Sequence, residues 1–154
     1  MFMGKLPHKA DLIGALTEAA TVNGIRAGAL QVIGALQRAR LGFYDQWSRA
    51  YRELAFAKPL EIVSGMGNVS LRDGKPFVHL HLALSDEEGK VFGGHAMEGC
   101  TVFAAEYIII PLPGVTPVRG FDETTGLHLW EREQYPAPGQ TELSPELQRA
   151  LHHP

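Results

Sequence analysis

Apolar residues along this chain alternate with polar ones far more often than they recur at helical spacing, and that contrast sets the expected architecture. The one convincing helical pattern runs from Asp11 to Val22, where Leu12, Ile13, Leu16, Ala19 and Ala20 fall on one face. Asp11 is placed to cap its start, and Asn23-Gly24 to end it. The remaining patterns are strand-like. Phe2–Leu6 is a short first strand closed by Pro7. Gly28–Ile33 is apolar and buried, and Gln37–Tyr44 alternates loosely with Leu41 and Phe43 on one side. Asp45-Gln46-Trp47-Ser48 is a turn before a strand over Tyr51–Phe56. Leu60–Leu71 carries Gly65 and Gly67, which predict a bulge or a close backbone approach. Arg72-Asp73-Gly74-Lys75 has the chemistry of a tight hairpin turn. Phe77–Ser85, Val91–His95 and Thr101–Pro111 complete the set. With one helix against six or more strands, and no crossover helices, the fold class is α+β with a mainly antiparallel sheet.

One strand carries the chemistry. In Phe77–Ser85, Val78, Leu80, Leu82 and Leu84 share one face and predict a core contact. His79 and His81 share the other. Asp86-Glu87-Glu88-Gly89 turns the chain back through Val91-Phe92-Gly93-Gly94-His95. If Ser85 pairs with Val91, His95 falls opposite His81 on the same face; a slip of one residue sends it to the opposite face. The favourable register makes His79, His81 and His95 a candidate divalent-metal site, because neutral imidazole suits zinc and other late transition metals. Metal would be released below roughly pH 6 if the rings titrate near their ordinary pKa of about 6.5. Glu98 is a possible additional ligand or base, and Cys100 a small buried hydrophobe. Gly93-Gly94 is read as a bulge. Glu106 lies inside an apolar strand and calls for a cationic partner such as Arg119, or an arginine of another subunit.

Composition narrows the function classes. The chain has 154 residues, a length suited to one domain with a real core. Fourteen Lys and Arg against seventeen Asp and Glu give a formal charge of −3, so no global basic field exists to draw nucleic acid. A basic patch, if assembled across subunits, would draw on Arg38, Arg40 and Arg72. No apolar run approaches the ~18 residues of a membrane span, and Met1–Lys9 lacks the apolar segment of a signal peptide. The single cysteine excludes an internal disulfide and fits a reducing, cytoplasmic setting. P-loop, Rossmann and G-x-S-x-G signatures are absent. His152-His153 reads as a solvated terminus.

The order of motifs resembles a known family. A leading helix around Asp11-Leu12 is followed by GALQRARLGFYD, then EIVSGMGNVSLRDGKPFVHLHLALSDEEGKVFGGH, then EGCTVFAAEYIII. This is similar to the PPC domain, the plants-and-prokaryotes conserved domain, in its stand-alone prokaryotic form. The likeness covers roughly residues 5–112, and RGFDETTGLHL (119–129) extends it; H-x-H, the hairpin and G-G-H carry it most specifically. It implies a compact single domain over residues 1–113, with residues 114–154 as a C-terminal extension packing on the domain or on a neighbouring subunit. It further implies a homotrimer, a regulatory or DNA-associated role, and a metal-holding histidine trio. The AT-hook that brings plant members to DNA has an Arg-Gly-Arg-Pro core, and the nearest string here, Val118-Arg119-Gly120-Phe121, lacks its second half. The rival functions are a small metal-dependent enzyme that activates water at the histidines and a purely structural assembly module.

Overall fold

A computed structural model describes residues 1–146 and 149; His152 and His153 lie outside the described residues. The elements in order are β1 (Phe2–Leu6), α1 (Leu12–Val22), β2 (Gly28–Asp45), β3 (Ala50–Phe56), β4 (Leu60–Arg72), β5 (Lys75–Ser85), β6 (Val91–Ala96), β7 (Thr101–Pro111), β8 (Arg119–Asp122) and β9 (Leu127–Trp130). Strands β1 to β7 form one antiparallel sheet in the order β1-β7-β2-β4-β5-β6, with β3 added alongside β2. The far half of β2 also meets β6 at Leu41–Ala96 and Gly42–His95, so β2, β4, β5 and β6 curl towards a closed ring.

Helix α1 forms where Leu12, Leu16 and Ala20 repeat every four residues and are fully buried. Asp11 caps it by accepting from the Gly14 N–H at 2.8 Å, and its second carboxylate oxygen accepts from the Gly99 N–H at 2.6 Å. The cap therefore also pins the loop before β7. The helix packs on the inner face of the sheet, against Leu80, Leu82 and Leu84 of β5 and Leu30, Leu36 and Val102 of its neighbours. Burying such side chains contributes roughly 1.5–3 kcal/mol each.

Two features differ from the sequence reading. Gly28–Ile33 and Gln37–Tyr44 are one continuous strand, because irregular registers at Val32/Gly34 and Ala35/Arg38 absorb the break in alternation. Gly34 makes this possible with φ +129, its backbone so near β7 that an added Cβ would sit 2.2 Å from the Ala104 carbonyl oxygen. Gly93-Gly94 is not a bulge: β5 and β6 pair in unbroken register through both glycines. Around Gly65, the irregularity falls at Ile62/Ser64.

Beyond Pro113 the chain forms a hairpin that alternation alone did not reveal. β8 and β9 pair through Arg119–Trp130 and Asp122–Leu127. The segment leading in docks beside β4, where the Leu71 N–H donates to the Pro117 carbonyl at 2.8 Å. At the turn, the Tyr44 hydroxyl donates to the Thr125 carbonyl at 2.6 Å, and Arg49 to that of Glu123 at 3.1 Å. The hairpin thus lies over the outer face of β4 and β5, the face opposite the helix.

Candidate metal centre

The register that brings the histidines together is the favourable one. Ser85 pairs with Val91 and His81 with His95, while His79 lies one step further along β5, opposite Asn68 of β4. The three ring centroids stand 5.0, 5.1 and 5.4 Å apart, close to an equilateral triangle. One nitrogen from each ring can be chosen so that all three lie within 4.8 Å of one another. His79 and His95 are partly buried, and His81 is exposed at the rim. Behind them, Val78, Leu80, Leu82 and Leu84 are all buried, so the site rests on a rigid, fully packed strand.

Neighbouring elements shape the cluster. Tyr51 of β3 lays its ring against His95, with centroids 5.3 Å apart, and itself packs edge-on to Tyr44 at 5.0 Å. Gly42 lets it do so: a Cβ at that position would be 2.7 Å from the Tyr51 ring. From the hairpin, Arg119 reaches down between the rows. Its Nε donates to Ser70 Oγ at 2.8 Å, Nη1 to the His128 carbonyl at 3.0 Å, and Nη2 to Asn68 Oδ1 at 3.0 Å. Nη2 also lies 3.1 Å from His79 Nδ1. Arginine can only donate, so Nδ1 accepts and the proton of the neutral ring sits on Nε2.

Burial is the main reason that His79 titrates so low, at about 4; the Arg119 charge and the other two rings push in the same direction. His95 is lowered too, first by burial and then by His81 and Arg119. Such rings stay neutral and keep their lone pairs in mildly acidic solution. At His79 and His95 a proton would therefore compete with a metal only at lower pH than at an ordinary imidazole.

The donor set fits a metal. His95 Nδ1 is buried with no hydrogen-bond partner, the kind of orphaned acceptor or donor that proteins avoid unless something else satisfies it. An ion among the three rings is one way of satisfying that histidine. Other candidates stand apart. Glu98 is exposed, is not grouped with the histidines, and uses its carbonyl to accept from Arg40. Cys100 is fully buried, bonded to the Arg40 backbone, and burial raises its thiol pKa, which makes it inert. Glu106 does not pair with Arg119; it is exposed on the outer face opposite Lys5 and Ile33, while Arg119 bonds to neutral groups of β4, β5 and the hairpin. Arg40 is neutralised by a two-pronged pair with Glu53, both contacts at 2.8 Å, and so adds nothing to a basic patch.

Sequence reasoning missed Arg119, Asn68, Ser70 and Tyr51 as shapers of this centre. Only Asn68 and Ser70 left a trace, being polar at outward positions of an otherwise apolar strand.

Comparison with known proteins identifies the family and the fold. The family profile described as the Plants and Prokaryotes Conserved (PCC) domain matches residues 1–113. A metal-containing protein from Archaeoglobus fulgidus is 42% identical, superposes with a TM-score of 0.81, and the match covers 85% of this chain and 92% of that one. A plant- and prokaryote-conserved (PPC) protein from Pyrococcus horikoshii is 34% identical, also at TM-score 0.81, with 86% and 92% covered. A bifunctional protein GlmU from Synechococcus sp. (strain JA-3-3Ab) is 33% identical over 101 residues, which is 65% of this chain but 15% of that much longer protein. With most of its length matched by the profile, this chain belongs to the Plants and Prokaryotes Conserved domain family.

Proposed function

We propose that this protein is a homotrimeric, metal-binding member of the family, in which His79, His81 and His95 hold one divalent transition metal, with zinc the best suited. The observation that carries the reading is the approach of three imidazole nitrogens to within 4.8 Å of one another on a rigid sheet face. The orphaned His95 Nδ1 and the metal content of the Archaeoglobus fulgidus relative support it. Held by His79, His81 and His95, a zinc ion would supply Lewis-acid chemistry to a ligand from outside. This chain's own residues supply the rings and the apolar backing, and a metal would take His79 in place of its contact with Arg119. Support for the trimer is the outer sheet face, where Met3, Ile33, Val63 and Met66 are all more than half exposed.

The geometry favours binding over water activation. No Asp or Glu side chain lines the cleft over the histidines among the described residues, and Glu98 is exposed and apart. Direct DNA binding has little to rest on, with a charge of −3 and no AT-hook core.

The test is metal analysis by mass spectrometry on untagged protein carrying His152→Ala and His153→Ala, so that those imidazoles contribute nothing. About one zinc per chain is expected, falling at least tenfold in affinity in His79→Ala/His81→Ala. Equal metal content in both would refute the site.

A further inference from the structure

The cleft above the histidines has a charge that the metal reading does not use. It measures about 250 Å³ and lies between the outer sheet face and the β8–β9 hairpin. Three arginines line it, Arg49, Arg72 and Arg119, together with Tyr44, Tyr51 and His128. Arg119 is only 8% exposed and forms no ion pair among the described residues; its four hydrogen-bond partners, Ser70, Asn68, His79 and the His128 carbonyl, are all neutral. Burying a guanidinium without an anion is costly. Arg72 repeats the pattern more weakly. Its one acidic partner is Asp73 at 4.0 Å, almost fully exposed and outside the cleft, and its Nη2 turns towards His128 Nε2 at 3.4 Å. Phe77 holds both guanidinium groups, at 5.6 Å from Arg72 and 5.4 Å from Arg119, so neither is free to swing away at no cost.

We propose that this cleft is a binding site for a small oxyanion, a carboxylate or phosphate group, which is held by Arg119 and Arg72 beside the histidine trio. Arginine's planar fork suits both groups. The volume admits a small acid or a single phosphoryl group. The proposal rests on the metal reading only for the ion next to the anion; the arginines carry the rest. Arg119 also ties the two together. Its Nη2 and a metal compete for His79, because a ring that accepts from Arg119 at Nδ1 carries its proton on Nε2, which leaves neither nitrogen open. A metal that displaces this contact frees an arginine donor for the anion.

The test is calorimetric titration of inorganic phosphate and of succinate into untagged protein, zinc-loaded and chelator-stripped, at constant ionic strength, with zinc per chain measured on the same samples. Saturable uptake of at least one probe is expected, and the tighter of the two identifies the group. Arg72→Gln should weaken it roughly tenfold, the value of one charge-assisted hydrogen bond, and Arg119→Lys at least as much because the fork is lost. Arg72 sits at the rim, so its variant reports on binding even if Arg119→Lys, checked by circular dichroism, unfolds. A zinc-loaded protein that takes up neither probe overturns the oxyanion site and leaves the metal site standing. Uptake unchanged by Arg72→Gln and by a folded Arg119→Lys also overturns it. Uptake lost in these variants, from a wild type that holds no zinc, keeps the oxyanion site and removes the metal one.

Discussion

The two faces of strand β5 are built from neighbouring residues yet obey different rules. On the inner face, Val78, Leu80, Leu82 and Leu84 are no more than 4% exposed and meet only apolar partners. On the outer face, Phe77, His79 and His81 meet arginine, histidine and amide groups supplied by β4, β6 and the C-terminal hairpin. The inner face is close-packed, and its energy comes from removing apolar surface from water, which any well-fitting hydrocarbon can do. The outer face has few apolar contacts, a buried arginine without an anion, and a buried nitrogen without a partner. Unsatisfied groups of this kind are tolerated where a ligand is to be held. The difference teaches that one strand can separate a packed core from a polar candidate site simply by alternating.

The sharpest way to break the comparison is to truncate one residue on each side. Leu80→Ala should cost about 2–5 kcal/mol in unfolding free energy, because the cavity lies in a fully buried layer under α1. The outward pair His79→Ala/His81→Ala should cost less, about 1–3 kcal/mol at most for the Arg119 donor left unpaired, while weakening metal retention at least tenfold. Chemical denaturation of the metal-free proteins checks both; a double histidine variant as destabilised as Leu80→Ala would show the outer face to be structural.

A smaller effect separates the hairpin from the sheet. Ser70 is buried beneath Arg119 and accepts from its Nε. Ser70→Ala leaves that donor unpaired and should cost about 1–3 kcal/mol. The loss should fall locally: amide hydrogen exchange is expected to speed up in β8 and β9 and stay unchanged in the centre of β5. Uniform acceleration would mean that the hairpin belongs to the same cooperative unit as the core.

The smallest expected effect is that of pH. His79 is held at about 4 in the folded protein, against 6.5 for an unperturbed ring. Between those values the unfolded chain binds a proton that the folded one refuses, so stability falls as pH drops from about 6.5 towards 4 and is flat above this window. Partial solvent exposure of the site screens part of the effect. Thermal unfolding of metal-free protein across this range should show the slope, and His79→Phe should reduce it to the share left by His95. The same shift should show directly in an NMR titration of the metal-free protein, with the His79 ring protonating well below an ordinary imidazole; a midpoint near 6.5 would mean that burial does not hold the ring neutral.

Much of this was legible in the chain. Alternation in Phe77–Ser85 placed the leucines inward and the histidines outward, and the Asp86–Lys90 turn allowed the His81–His95 pairing that the structure adopts. The helix over Leu12–Val22, its Asp11 cap and the antiparallel sheet followed from local periodicity and turn chemistry. These are short-range properties, since they depend on which residues lie two to five positions apart and on how a tight turn returns the chain. Other features had no local signal. The continuity of β2 through Gly34 depends on how closely β7 approaches it. The partners of Arg119 lie 9 to 51 positions away, and the ring of Tyr51 meets His95 only because β2 pairs with β3 on one side and β6 on the other. The sequence by itself determined the alternating faces and the single helix, because each is decided by spacing along the chain, and it offered the histidine register as one of two pairings, between which the folded sheet decided. Tertiary structure alone decided the cleft, its arginines and the low pKa of His79, because burial and charge at a point in space are sums over segments that the chain keeps far apart.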